Sequence, residues 1–260
     1  MRRLAGFALL LWAATAANGE EVLRVGMDTR TPPWSYVPGV DYSKEDSTKS
    51  PQISEAQLAR VEGMEVDVAT RLAQHLPARL RIVPTAWFEL ETGLLAKRYD
   101  AIINGWTPSS KTPAAIFASA PYYDWGLLIA VRSDDKTVRA YADLAGMTIG
   151  HYRDPVAERT LTSLRPGKLV PFDSQEAMFE ELRAGNVRAV LFDSLYVRWR
   201  ISHDPAFRAV GEPLNRLGYH VGLRREDSAL CQNIQAAVEW LVSSGEIAKI
   251  RQKWEGAPRP

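Results

Sequence analysis

The chain writes one pattern twice. A short apolar strand is followed by an amphipathic helix, a strand, a helix and a strand, first over residues 22–105 and again over 144–194. In the first half, "VLRVGMD" alternates Leu23 and Val25 with polar positions, as a strand does. "GMEVDVATRLAQHL" sets Met64, Val68, Leu72 and Leu76 on one face of a helix. "ARLRIVP" then reads as a strand, "ELETGLLAKRY" as a helix and "DAIING" as a strand. The second half repeats the order with "LAGMTIGHY", "VAERTLTSL", "KLVPF", "SQEAMFEELRAG" and "VRAVLFDS". Strands that alternate with helices pair in parallel, because each helix returns the chain to the end where the last strand began. The sequence therefore predicts an α/β protein with two lobes.

Two apolar extended segments, "WGLLIAVRSD" and "GYHVGLRRED", flank the second half and are expected to be two strands crossing between the lobes. The last helices, "ALCQNIQAAVEWLVSSG" and "EIAKIRQKWEG", are expected to return to the first lobe. The expected organisation is a first lobe of residues 20–126 plus 222–260 and a second lobe of 127–221. Ligand is expected where strand C-terminal ends face each other, as in other open α/β sheets. "TRTPPW" is a turn, since Pro32 and Pro33 cannot continue a sheet interior. Residues 37–62 are polar and charged and read as an exposed insertion; Ser54 and Gln57 have the spacing of a capping box that opens a helix running to about Val61.

Charge and cysteine exclude several classes. The chain has 32 basic and 31 acidic residues, so it lacks the basic excess that nucleic-acid binding calls for. Arg2 and Arg3 precede an apolar run that ends in Ala14-Thr15-Ala16, the pattern of a secretory signal peptide over residues 1–16. No cysteine stands near that cut, which argues against a lipid anchor. Cys231 is the only cysteine, which rules out an intramolecular disulfide and reads as a structural thiol in a helix. His75, His151, His203 and His220 show no metal spacing, and there is no P-loop, GxGxxG or GxSxG element, so no metal and no cofactor are expected. His151 and Glu158 could act as acid and base, but a loop histidine and a first-turn glutamate account for them more simply.

The ordered set "LRVGMDTRTPPWSY", "GMEVDVATRLAQHL", "GLLAKRYDAIINGWT", "SAPYYDWGLLIAVR", "LAGMTIGHY", "AVLFDS", "GYHVGLRREDSAL" and "IRQKWEG" resembles the family 3 solute-binding proteins of ABC importers, which mostly bind polar amino acids in the periplasm. Each piece is weak alone; the order is what carries the likeness. Residues 39–62 have no counterpart in the typical member. The resemblance implies a type II periplasmic-binding-protein clamshell that is no enzyme, is secreted to the periplasm as a monomer, and partners with a small solute and a membrane permease. It also implies roles at matched positions. Asp28 ends the first strand and Trp87 matches an aromatic that stacks on ligand. Asn104, Gly105 and Thr107 match strand-end groups that hold ligand, and Asp193 matches the acid that receives an ammonium group. On that view the short polar groups of "NGWTPSS" wrap a small solute.

The departures concern the carboxylate end. Where the family carries an arginine that forks onto the ligand's α-carboxylate, this chain has Thr112. Lys111 stands next to it but offers a point charge instead of a fork. The second-lobe loop "HYRDPVAE" puts Asp154, Pro155 and Val156 where small hydroxyl residues are usual, and Pro155 has no N–H to donate. Either Arg153 or Lys111 replaces the missing cation, or the ligand is no ordinary α-amino acid. Asp28 and Asp193, with Trp34, Trp87, Trp106 and Tyr152 near them, would suit a cationic solute through cation–π contacts. Trp106 reads equally as pocket wall or core. Two other functions fit the fold: a cyclohexadienyl-dehydratase-like enzyme, which the loss of the arginine argues against, and a non-transport accessory of a periplasmic quinoprotein dehydrogenase, which the rebuilt site and the insertion would suit.

Overall fold

A computed structural model describes residues 21–42, 45–152, 161 and 165–255. The expected signal peptide, Arg153 to Val156, Glu158 and most of the expected helix "VAERTLTSL" lie outside the described residues. The described residues divide into two compact units, one within 21–38, 48–123 and 219–250 and the other within 39–47, 124–218 and 251–255. Arg198 of the second unit lies 3.5 Å from Glu255, which helps tie the end of the last helix to that unit.

The first unit holds a five-stranded sheet. Its strands are β1 (Glu21–Met27), β4 (Ala78–Pro84), β5 (Ala101–Ile102), β6 (Ile116–Ala118) and β14 (Gly222–Arg224). Their order is β4-β1-β5-β14-β6, with β1 parallel to both β4 and β5, and β14 antiparallel to β5 and β6. The predicted parallel β-α-β-α-β pattern is therefore present, with helices Met64–His75 and Leu90–Leu95 between the strands. A small hairpin, β2 (Arg30–Thr31) with β3 (Ser35–Tyr36), follows β1 directly. The insertion carries the helix Glu55–Leu58 with both halves of the Ser54/Gln57 capping box in place.

Two local devices position the strand-end loops of this unit. Helix Met64–His75 has no side-chain cap at Gly63. Instead, the Met64 and Glu65 N–H groups donate to the Pro33 and Trp34 carbonyls at 2.8 and 3.0 Å. A Cβ at Gly63 would sit 2.0 Å from the Trp34 carbonyl oxygen, and its φ is +149°, so glycine alone admits this contact. The fully buried Tyr99 ring fills the space beside Gly26, where a Cβ would meet it at 2.5 Å. Tyr99 donates to the Leu90 carbonyl at 2.6 Å, and burial pushes its phenol up to about 12.

The second unit holds β8 (Leu127–Arg132), β9 (Thr148–Tyr152), β10 (Lys168–Phe172), β11 (Ala189–Asp193) and β12 (Phe207–Val210), in the order β10-β9-β11-β8-β12. β9 is parallel to β10 and β11, while β8 runs antiparallel to β11 and β12. Most of "WGLLIAVRSD" is thus a sheet strand, and the chain passes between units through the shorter strands Tyr123–Trp125 and Leu217–Tyr219, which pair with each other. Helix Gln175–Ala184 is capped by Ser174 and ends at Gly185 in the left-handed region. Cys231 is buried, and its thiol donates to the Arg224 carbonyl at 3.3 Å, so desolvation raises its pKa, as befits a structural thiol. No helix among the described residues is long and apolar enough to cross a membrane.

Candidate functional site: the strand ends

Register brings three loops of the first unit together. Gly26 pairs with Ile102 and Met27 with Pro84, so the C-terminal ends of β1, β5 and β4 lie side by side. Asp28, Asn104 and the turn at Trp87 follow directly from those ends. The Asp28 N–H donates to Asn104 Oδ1 at 2.7 Å, and the Trp87 N–H donates to Asp28 Oδ2 at 3.0 Å. Ser35 Oγ lies 2.9 Å from the Asp28 carbonyl oxygen and 3.1 Å from Asn104 Oδ1. The Thr31 hydroxyl donates to the same carbonyl at 2.9 Å. Asn104 is therefore a buried strut between loops, with its amide nitrogen 3.4 Å from Thr31 Oγ1.

The Asp28 carboxylate is already engaged. Arg30 Nε donates to Oδ1 and Nη2 to Oδ2, each at 2.9 Å, and the Arg30 N–H reaches Oδ1 at 3.3 Å. The two side chains are only 6% and 5% exposed. Arg30 had no place in the sequence reading. The signal was present as an acid and a base two residues apart at a strand end, but only the tight hairpin makes the guanidinium fold back.

The aromatics separate into two kinds. Trp87 is 40% exposed, and its neighbour Phe88 is 54% exposed and meets it edge-on with ring centroids 5.4 Å apart. Trp34 is buried and donates to the Tyr219 hydroxyl at 3.0 Å. Trp106 is buried in the core cluster with Leu90, Leu94, Tyr99, Ile102 and Ile116, and donates to Glu91 Oε1 at 3.1 Å. Its ring lies 3.2 Å from where a Gly222 Cβ would be. Of its two open readings, core describes Trp106. Gly105 has φ +63°, and a Cβ there would come within 2.8 Å of Trp34 Nε1, so this turn also requires glycine.

The hydroxyl-rich loop mostly binds itself. The Ser109 N–H donates to Thr112 Oγ1 at 3.0 Å, and the Lys111 N–H to Ser109 Oγ at 3.1 Å. Thr112 Oγ1 in turn donates to Glu91 Oε1 at 3.1 Å. Thr112 is thus a loop fastener, and Lys111 is exposed on the turn. Thr107, in the same loop, is half-buried. Glu91 gathers the Trp106 and Thr112 donors. The insertion reaches the Trp87 turn through Ser50, which donates to Glu89 Oε2 at 2.9 Å and accepts from the Ala86 N–H at 3.1 Å. The Ser50 hydroxyl, together with Arg98, holds the Glu89 carboxyl below its ordinary value.

The second unit presents Asp193 at the end of β11. Its Oδ1 accepts the Leu195 N–H at 2.8 Å and caps helix Ser194–His203. Tyr152 ends β9, with its ring 5.5 Å from that of Phe192. His151 is buried, with Nδ1 2.9 Å from the Tyr152 carbonyl oxygen. Among the described residues no group of three or more His, Cys, Asp or Glu side chains could hold a metal ion.

Residues 46–257 match the family model described as bacterial extracellular solute-binding proteins, family 3. The chain belongs to this family. Relatives include the L-cystine-binding protein TcyJ of Escherichia coli (strain K12), 28% identical over 201 residues and 76% of each chain. The ABC transporter arginine-binding protein 1 of the same strain is 22% identical and matches over 98% of this chain and 99% of its own. Among solved structures, the P235GK mutant of ArgBP from T. maritima aligns with TM-score 0.69 at 28% identity, covering 90% of this chain and 94% of its own. The ancestral amino acid-binding protein AncCDT-1, described as a precursor of cyclohexadienyl dehydratase, aligns with TM-score 0.71 at 20% identity over 90% of this chain and 94% of its own, a likeness of fold alone. The fold is that of the type II periplasmic binding proteins, with one five-stranded α/β sheet in each unit.

Proposed function

We propose that this protein is the periplasmic receptor of an ABC importer and that it binds a small amino-acid-like solute at the strand ends described above. The observation that carries the reading is the first unit's strand-end cluster. Three parallel strands deliver Asp28, Asn104 and Trp87 to one place, and hydrogen bonds from the Asp28 and Trp87 N–H groups link the three. Trp87 is 40% exposed there. A flat aromatic beside fixed polar groups can stack on a solute's side chain while hydroxyls and N–H groups take its polar end. Gly105, Thr107 and Lys111, in the loop that carries Asn104, are further ligand-side groups in this reading. Trp34 and Trp106 support the loops from beneath. The relatives named above bind cystine or arginine, which supports an amino acid as the class of solute.

The receptor works as a monomer that hands solute to a membrane permease and carries out no chemistry. A dehydratase reading would need a guanidinium for an acidic substrate, and Thr112 is fastened to Glu91 in its place. The test is thermal unfolding against a panel of cationic, neutral and acidic amino acids, with prephenate and arogenate included. A rise in Tm with at least one amino acid and no turnover of either acid supports the receptor. Turnover, or silence across all the amino acids, overturns it.

A further inference from the structure

We propose that Arg30 occupies the place a solute cation would take at the first unit's strand end, and so sets the charge selectivity of the receptor. This deepens the reading above and rests on it. A carboxylate offers about four acceptor positions. At Asp28 all four are filled: Oδ1 takes the Arg30 N–H and Nε, and Oδ2 takes Arg30 Nη2 and the Trp87 N–H. The guanidinium meets the acid through two parallel bonds of 2.9 Å, the fork geometry that makes arginine–carboxylate pairs strong. Both partners are nearly sealed from water, so screening by solvent and salt is weak.

The consequence for a solute is simple. A cationic side chain that approaches this end meets a carboxylate with no acceptor left and a like charge beside it. It would have to dislodge Arg30 to gain a salt bridge. A neutral side chain loses nothing of the kind and can stack on the exposed Trp87 ring. Selectivity of this sort is built from repulsion as much as attraction. The acid at the first strand end thus serves structure and discrimination, and the solute's own charge is answered elsewhere.

L-arginine and L-citrulline test this, because they match in shape and differ in side-chain charge. Their affinities are measured by calorimetry for the wild type, R30M and D28N. The wild type is expected to bind citrulline at least as tightly as arginine. R30M frees the carboxylate and should move the ratio of affinities at least tenfold toward arginine. D28N leaves the guanidinium without its counter-charge and should move the ratio about tenfold the other way. Should R30M not fold, the D28N shift decides alone. A ratio constant within twofold, a shift of the opposite sign, or a wild type that prefers arginine tenfold overturns the role of Arg30 while leaving the receptor intact. If no protein of the set binds either solute, the amino-acid reading itself fails and this proposal falls with it.

Discussion

Asp28 and Asp193 occupy the same kind of place, the C-terminal end of a strand in a five-stranded sheet, and are wired in opposite ways. Asp28 follows β1 directly and is clasped by the cation of the adjoining hairpin. Asp193 ends β11 and turns one oxygen onto the N-terminus of the helix that follows. The first acid meets the full charge of Arg30, and the second takes a backbone N–H at the positive end of a helix dipole. Two acids that look alike in sequence therefore differ in what removing a partner does, and only neighbours a few residues away decide which is which.

The largest effect should come from unbalancing Asp28. In R30M a buried carboxylate loses its cation, which costs about 3–5 kcal/mol when one partner of a buried pair is removed. For a chain of this size that lowers Tm by roughly 10 °C. The D28N/R30M double variant should recover most of the loss, and equal Tm values for the single and double variants would break the comparison at this end.

Asp193 should matter less for stability. D193A removes a cap and should cost about 1 kcal/mol, while D193N, which can still accept the Leu195 N–H, should cost a few tenths. Chemical denaturation distinguishes the two. Equal losses for both variants would mean that the full charge of Asp193, and not its cap, holds that strand end.

The smallest effect concerns a third acid, Glu89, which the insertion touches. Its folded pKa lies below its unfolded value, so its contribution to stability is present at neutral pH and fades as pH falls through the folded pKa. S50A removes the largest cause of that shift. Carboxyl NMR titration should then find Glu89 closer to its ordinary value, with a shallower acid loss of stability. An unmoved titration would show that Ser50 does not hold the Trp87 turn.

Much of the fold was legible because it rests on periodicity. The apolar face of Met64–His75 and the Ser54/Gln57 box follow from spacing alone, and both are present. Helix Ser194–His203 escaped notice because "SLYVRWRISH" has no clean apolar face and starts where a strand ends. β6 and β12 escaped because three or four residues carry too little pattern. At the strand ends, Asp28, Trp87 and Asn104 could be named from the sequence, but their wiring could not. Whether Trp106 is wall or core depends on the absence of a side chain at Gly222, over a hundred residues away. Whether Asp28 is free depends on how Arg30 bends back, which a one-dimensional reading of "MDTRT" leaves open.

The account stands or falls on the exposed indole at the strand ends. Calorimetric titration of the wild type, W87A and W240A with the best amino acid of the panel tests it directly, since Trp240 is equally exposed (41%) but stacks on His75 far along another helix. The expected result is binding by the wild type and W240A with the same affinity and at least a tenfold loss in W87A. Equal affinities for W87A and the wild type would contradict the account.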